Sequence, residues 1–174
     1  MACLVSRSGR HLQRYDNIGR RIVVGCIPYR FKRMSRDLEE EDELIILEVL
    51  VVSSRKTRGQ GMLFPKGGWE TDESIEEAAT RETLEEAGVR GHFDQEELGQ
   101  WNYKSKTRGI YHEGRLFPLL VTEQLDHWPE KDFRQRLWMN VGEAREVCKW
   151  WWMKEALDLL VDRLSKPNNS LNKA

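Results

Sequence analysis

The chain has 174 residues, enough for one domain with a proper core. Its 28 Lys and Arg nearly balance 29 Asp and Glu, a net charge of −1, so no global field draws it to nucleic acid or to a membrane surface. Cys3, Cys26 and Cys148 are far apart, odd in number and lack CxxC spacing, and His11, His92, His112 and His127 lack ligand spacing, which argues against a disulfide framework or a zinc site and for reduced thiols in an intracellular protein.

The charge is unevenly placed. Residues 1–36 hold nine Arg or Lys and one acid, Asp16. Residues 1–18 read as a basic arm, substrate-facing or flexible. The arm's Arg-rich, acid-poor composition also suits a mitochondrial presequence, but it lacks an amphipathic apolar face. The expected location is therefore cytoplasmic or nuclear, with mitochondrial as the alternative; no secretory signal is visible. A first strand spans 20–31, rich in β-branched residues, and a buried strand spans 44–54. The run LIILEVLVV at 44–52 is too short, and too interrupted by Glu48, to span a membrane. Between the two strands, DLEEEDE at 37–43 reads as a solvated acidic loop.

Residues 55–61 form a basic, Gly-rich loop, and a short strand from Met62 to Phe64 runs into Pro65. Lys66-Gly67-Gly68 reads as a turn, and a helix follows. Ser74 with Glu77 fits a capping box, Asp72 is an alternative cap, and Gly88 is the stop. Beyond Gly91, strands are expected at 98–106, 114–123 and 133–140, with Pro118 suggesting an edge or a bulge. A short helix at 141–148 precedes an amphipathic helix at 151–165, with Leu157, Leu160, Val161 and Leu164 on one stripe. Trp150, Trp151 and Trp152 read as core at the start of that helix; Trp101 and Tyr103 are the better stacking candidates. The tail from 166 to 174 is polar. Layer logic gives an α+β fold, an α/β/α sandwich on a mixed sheet.

The helix at 74–87 carries the chemistry. At about 100° per residue, Glu82, Glu85 and Glu86 share one arc with Ile75, Ala78 and Ala79, so the acids continue the inward, apolar face. Glu76, Glu77 and Thr80 face solvent instead. Three like charges one turn apart repel. Hard carboxylate oxygens in that arrangement suit Mg²⁺ or Mn²⁺ held against a polyphosphate. Arg81 either orients a neighbouring carboxylate or serves as a structural ion pair.

The pattern G-x5-E-x7-R-E-x2-E-E-x-G, filled by Gly67, Glu73, Arg81, Glu82, Glu85, Glu86 and Gly88, resembles the Nudix box; Val89 also fits, and Thr83 stands where that family usually has a bulkier aliphatic. The resemblance covers roughly residues 19–165 and implies the same sandwich. It implies hydrolysis of a diphosphate linked to another group. By that resemblance Glu82 and Glu86 are metal ligands, helped by a backbone carbonyl near Gly67; Glu85 is the general base or a further metal contact; Glu73 and Arg81 support the loop-helix geometry.

Several segments are similar to the diphosphoinositol polyphosphate phosphohydrolase branch: RYDNIGRRIVVGCIPYR at 14–30, VVSSR at 51–55, LLVTEQLDHWPE at 119–130 and the strand holding Trp138. FPKGGWE at 64–70 matches the plant type, with Lys66 replacing a glycine of the animal type. That branch cleaves inositol pyrophosphates and also diadenosine polyphosphates. The expected partner is thus a highly phosphorylated small molecule, met by Arg20, Arg21, Arg55, Lys66, Lys104, Arg115, Arg134 and Arg136, with Lys56, Arg58, Lys106 and Arg108 nearby in sequence. A dinucleoside polyphosphate or other nucleoside diphosphate derivative is the second expected substrate, and a non-catalytic phospholigand-binding module is the third reading.

Overall fold

A computed structural model of the chain describes residues 5–35, 43–55, 61–105 and 109–166. Cys3, most of the acidic run at 37–43, Lys56, Arg58, Lys106, Arg108 and the tail beyond 166 lie outside the described residues. In chain order the elements are β1 (Arg21–Ser35), β2 (Glu43–Ser53), β3 (Met62–Leu63), β4 (Lys66–Gly68), α1 (Ile75–Ala87), β5 (Val89–His92), β6 (Gly99–Lys104), β7 (Tyr111–Gln124), β8 (Arg136–Asn140), α2 (Val141–Val147) and α3 (Trp151–Ser165).

One eight-stranded mixed sheet runs β3-β2-β1-β7-β5, with β4 on β1, β6 on β7 and β8 on β2. β1 pairs parallel with β7, from Arg21 opposite His112 to Tyr29 opposite Leu120. Strands at the centre are apolar on both faces because both faces are covered. Val24, Cys26, Phe117 and Leu119 meet Ala78 and Ala79 of α1 on one side. Ile27, Tyr29, Leu50, Val52 and Leu116 pack with Trp152, Ala156, Leu157 and Leu160 of α3 on the other. The α/β/α sandwich is therefore a consequence of period-two alternation in strands whose two faces both demand burial.

The caps are as the sequence dictates. The Ser74 side chain accepts the Glu77 N–H at the start of α1. Gly88 ends α1 in the left-handed conformation (φ 65°), its N–H donating to the Leu84 carbonyl.

Four sequence expectations need correction, and β5 is a strand the sequence does not announce; the first correction is Trp151, expected in the core but exposed. Lys66-Gly67-Gly68 is not a turn but the strand β4, antiparallel to Val23–Gly25. β5 has no apolar run to announce it; Gly91 allows it to lie against β7, since a Cβ there would overlap the Leu120 carbonyl. Pro118 sits in a central strand, opposite Ile27. β6 pairs with β7 up to Leu116 and β5 from Leu120, so the missing N–H of Pro118 falls between the two ladders. Trp101 and Tyr103 are buried rather than displayed for stacking: Tyr103 stacks on Trp152 at 4.8 Å and Trp101 lies 5.9 Å from it.

Trp152 is fully buried, and its indole N–H has no acceptor. Trp152→Ala is expected to cost about 3–5 kcal/mol in urea unfolding. Trp152→Phe keeps an aromatic ring and removes an unsatisfied donor worth about 1–3 kcal/mol. It is therefore expected to cost less than Trp152→Ala, because the phenyl ring leaves a smaller cavity than a methyl group does.

Candidate active site on helix α1

Glu82, Glu85 and Glu86 are all buried on the inward face of α1, while Glu76, Glu77 and Thr80 are exposed. Arg81 holds the near end of the cluster. Its Nε and Nη2 donate to the two Glu73 carboxylate oxygens at 2.9 and 2.7 Å, and Nη2 also reaches the Gly68 carbonyl at 2.9 Å. Its Nη1 donates to Glu82 Oε1 at 2.7 Å and lies 3.5 Å from Glu85 Oε2. Glu73 in turn accepts the Glu70 N–H. Burial disfavours the charge on Arg81, but its hydrogen bonds to Glu73 and the charge of Glu82 overcome it and raise its pKa.

The far end of the cluster is held by the segment between β7 and β8. Arg134 Nη2 donates to Glu86 Oε1 at 2.8 Å, and the Lys66 N–H donates to Glu86 Oε2 at 3.1 Å. Arg134 also bonds the Ser53 carbonyl and lies 3.5 Å from buried Glu130. The Glu130 N–H donates to the Glu85 carbonyl and the Trp128 indole to the Glu86 carbonyl, so this segment is tied to α1 through its backbone.

The basic arm closes a third side. The Arg7 N–H donates to Glu85 Oε1 at 3.0 Å, and its guanidinium pairs with Glu70 and Asp72. Arg14 lies over the Trp69 ring and donates to the Glu70, Thr71 and Glu73 carbonyls.

Burial first, and then mutual repulsion, hold the Glu82 carboxyl well above the ordinary carboxylate range. Burial does the same for Glu86, against the pull of Arg134 and Lys66. Glu85 is raised too, by burial, with the Arg7 N–H opposing it. Nearby, Lys66 is lowered by burial despite Glu86, and Arg21 by burial and by Arg10. His112 is pushed down to about 4 by burial and then by Arg21, Lys66 and Arg10. A knot of positive charge thus stands beside the carboxylates.

The structure brings together Gly67, Glu73, Arg81, Glu82, Glu85, Glu86, Lys66, Arg21 and Arg134. A Cβ at Gly67 would overlap the Glu82 carboxylate, so only glycine lets that side chain lie on β4. The other expected cations are occupied elsewhere or stand apart. Arg20 pairs with Asp16. Arg55 reaches Glu130 at 3.5 Å and lies over Phe133, at the rim. Lys104 is exposed at the end of β6. Arg115 makes a two-pronged pair with Glu97 and lines a cavity of about 650 Å³ with Ile75, Phe93 and Phe117, none of them a cluster residue. Arg136 caps α1, donating to the Ala87, Gly88 and Leu125 carbonyls above the Trp128 ring.

Sequence reasoning missed Arg7, Gln13 and Glu130. Glu130 had a faint signal, four residues before Arg134; the other two had none beyond membership of the arm.

Hard oxygen donors on three neighbouring side chains, and a glycine cradle under one of them, fit a divalent cation. Among the described residues, though, no three acidic, His or Cys side chains already converge on one point. Arg81 and Arg134 hold the carboxylates apart instead.

The NUDIX domain matches residues 20–162. "Nudix hydrolase 17, mitochondrial" of Arabidopsis thaliana is 63% identical over 169 residues, covering 97% of this chain and 88% of the relative. "Diphosphoinositol polyphosphate phosphohydrolase 2" of Mus musculus is 32% identical over 146 residues, covering 84% of this chain and 66% of the relative. Among solved structures, the C. elegans Ap4A hydrolase shares the fold with a TM-score of 0.57 at 18% identity, covering 83% of this chain and 98% of that one. No helix among the described residues is long and apolar enough to cross a membrane. With its box folded as a buried carboxylate cluster and its length matched nearly end to end, the chain belongs to the Nudix family and is a hydrolase of phosphoanhydride-type substrates.

Proposed function

We propose that this chain is a divalent-metal-dependent phosphohydrolase of inositol pyrophosphates. The observation that carries the reading is that buried Glu82, Glu85 and Glu86 share one region with Arg134, which pairs with Glu86, and with Arg21 and Lys66, whose side chains make no ion pair among the described residues. Glu82, Glu86 and the Gly67 carbonyl would hold the Mg²⁺ or Mn²⁺. When bound, the cation neutralises phosphate charge and lowers the pKa of its water.

The remaining work falls to side chains. Arg21, Lys66 and Arg134 engage phosphate oxygens and stabilise charge as it develops there. Burial makes Glu85 a stronger base, and Arg7 occupies only one of its oxygens. Glu85 takes a proton as the water oxygen bonds to phosphorus, and the bridging P–O bond breaks with its electron pair on the leaving phosphate. Arg81 and Glu73 keep these carboxylates in place.

The preference for an inositol pyrophosphate over a dinucleoside polyphosphate is supported by cation density and by the 32% identical mouse relative. Trp101 and Tyr103, the aromatic side chains expected to stack a base, are core residues. The word "mitochondrial" belongs to the Arabidopsis relative. For this chain we favour a location in which the arm is retained, since Arg7, Gln13 and Arg14 are built into the site.

Four outcomes test this reading. Glu86→Gln is expected to abolish turnover while the thermal midpoint shows the fold retained; Mg²⁺-dependent activity near that of the parent would overturn the assignment. Glu85→Gln is expected to lower kcat by about 10²–10⁴-fold. In side-by-side kinetics with Mg²⁺, kcat/KM should favour an inositol pyrophosphate over diadenosine tetraphosphate. A large advantage for the nucleotide would reverse the ranking, and tight polyphosphate binding without any cleavage would establish the binding-module reading. The fourth concerns pH. Folded-state carboxyl pKa values above those of the unfolded chain mean that the folded state keeps protons the unfolded state has lost. Without metal, stability should therefore fall as pH rises past the ordinary carboxylate range, levelling off once the buried pair has ionised. Mg²⁺ should raise the melting temperature more at pH 8 than at pH 5, measured by scanning calorimetry.

A further inference from the structure

We infer that Gln13 is a positioning residue for this reaction, holding the Arg21 guanidinium ready for a phosphate group while leaving its charge uncompensated. The inference rests on the reading of Arg21 as a phosphate contact.

Gln13 lies in the arm, before the segment that matches the family, and its side chain is buried. Its Oε1 accepts from Arg21 Nε at 2.8 Å. Its Nε2 faces three carbonyls, of Arg14 at 2.8 Å, Ile22 at 3.0 Å and Trp69 at 3.3 Å. The amide can face only one way, because a flip would set an oxygen against three acceptors and an NH₂ against a guanidinium. One amide thus joins the arm, β1 and the loop leading into α1. The fit is close: a Cβ at Gly68 would overlap Gln13 Oε1 and come within 2.8 Å of Arg21 Nη2. Arg21 therefore lies along β4, one residue from the Gly67 position that the Glu82 carboxylate overlies.

The chemistry of the acceptor matters. Among the described residues, Arg20, Arg115 and Arg134 each pair with a carboxylate, whereas Arg21 has no carboxylate within ion-pair distance. A neutral amide fixes the direction of a guanidinium without cancelling its charge. A glutamate here would fix it equally well and neutralise it. Anchoring Nε leaves the Nη edge for a ligand, and burying an unpaired guanidinium is costly unless an anion arrives. Arg10 and Lys66 nearby add to the demand for negative charge.

The test is calorimetric binding of inositol hexakisphosphate with Mg²⁺, a probe with no anhydride to cleave, to the parent, Gln13→Met, Arg21→Met and the double variant, with thermal midpoints measured alongside. Arg21→Met should weaken binding about tenfold, as loss of a charge-assisted contact does. Gln13→Met should weaken it about fivefold, and the double variant should bind no more weakly than Arg21→Met, the signature of one residue acting through the other. If Gln13→Met does not fold, Gln13→Asn, one methylene short of spanning the network, should show the same non-additive loss. Normal affinity in the Gln13 variants with weak Arg21→Met, or losses that multiply in the double variant, would overturn the role of Gln13 and leave Arg21 as a phosphate contact. Unchanged affinity in Arg21→Met, or no binding by the parent, would overturn the phosphate reading itself.

Discussion

Everything in this site depends on keeping three carboxylates of one helix face apart in a buried place. Glu82, Glu85 and Glu86 stand at i, i+3 and i+4, where like charges repel even in water, and burial strengthens the repulsion. Arg81, from the same helix, answers it at one end by touching Glu73, Glu82, Glu85 and the Gly68 carbonyl. It joins β4, the loop after it and the helix into one electrostatic unit. Glu86 lies beyond its reach and needs a cation from elsewhere, which arrives as Arg134 from 48 residues away. The local motif is therefore incomplete until the sheet has formed and carried the β7–β8 segment across α1.

The same requirement explains why the two glycines of β4 matter. Gly67 lies under the Glu82 carboxylate and Gly68 under the amide of Gln13 and the guanidinium of Arg21. Two charged groups of opposite sign thus rest on adjacent residues of one short strand, each so close to the backbone that a methyl group would displace it. The pairing of β4 with Val23–Gly25 keeps that platform rigid. The arm completes it from the far side, where Gln13 and Arg14 bond the backbone of residues 69–73.

Most of this was legible in the sequence wherever the controlling interaction was local. The caps at Ser74 and Gly88, the inward face of α1 and the long strands follow from spacing and periodicity. The roles of the basic residues were not legible, because charge type says nothing about partner. Arg136 and Arg134 are two residues apart, yet one binds helix-end carbonyls and the other a cluster carboxylate. β5 was hidden because its pairing rests on the smallness of Gly91, not on apolar residues. β4 was misread because glycines that permit close approach look the same in sequence as glycines that permit a turn. Gln13 was invisible because a single neutral amide becomes informative only when four groups from three segments are seen around it.

The balance of charge is what turns this from a structural network into a site. Arg81 and Arg134 are matched by carboxylates, but Arg21 is directed by a neutral amide, and the carboxyls of Glu82 and Glu86 are still raised after their partners are counted. Positive and negative excess therefore remain unneutralised, because alternation along β4 sets Glu82 over Gly67 on one face of the strand and Arg21 over Gly68 on the other. A folded protein keeps such an arrangement at a cost in stability. On the proposed reading, a divalent cation would relieve the acidic half and a polyanion the basic half, so that each ligand would improve the site for the other.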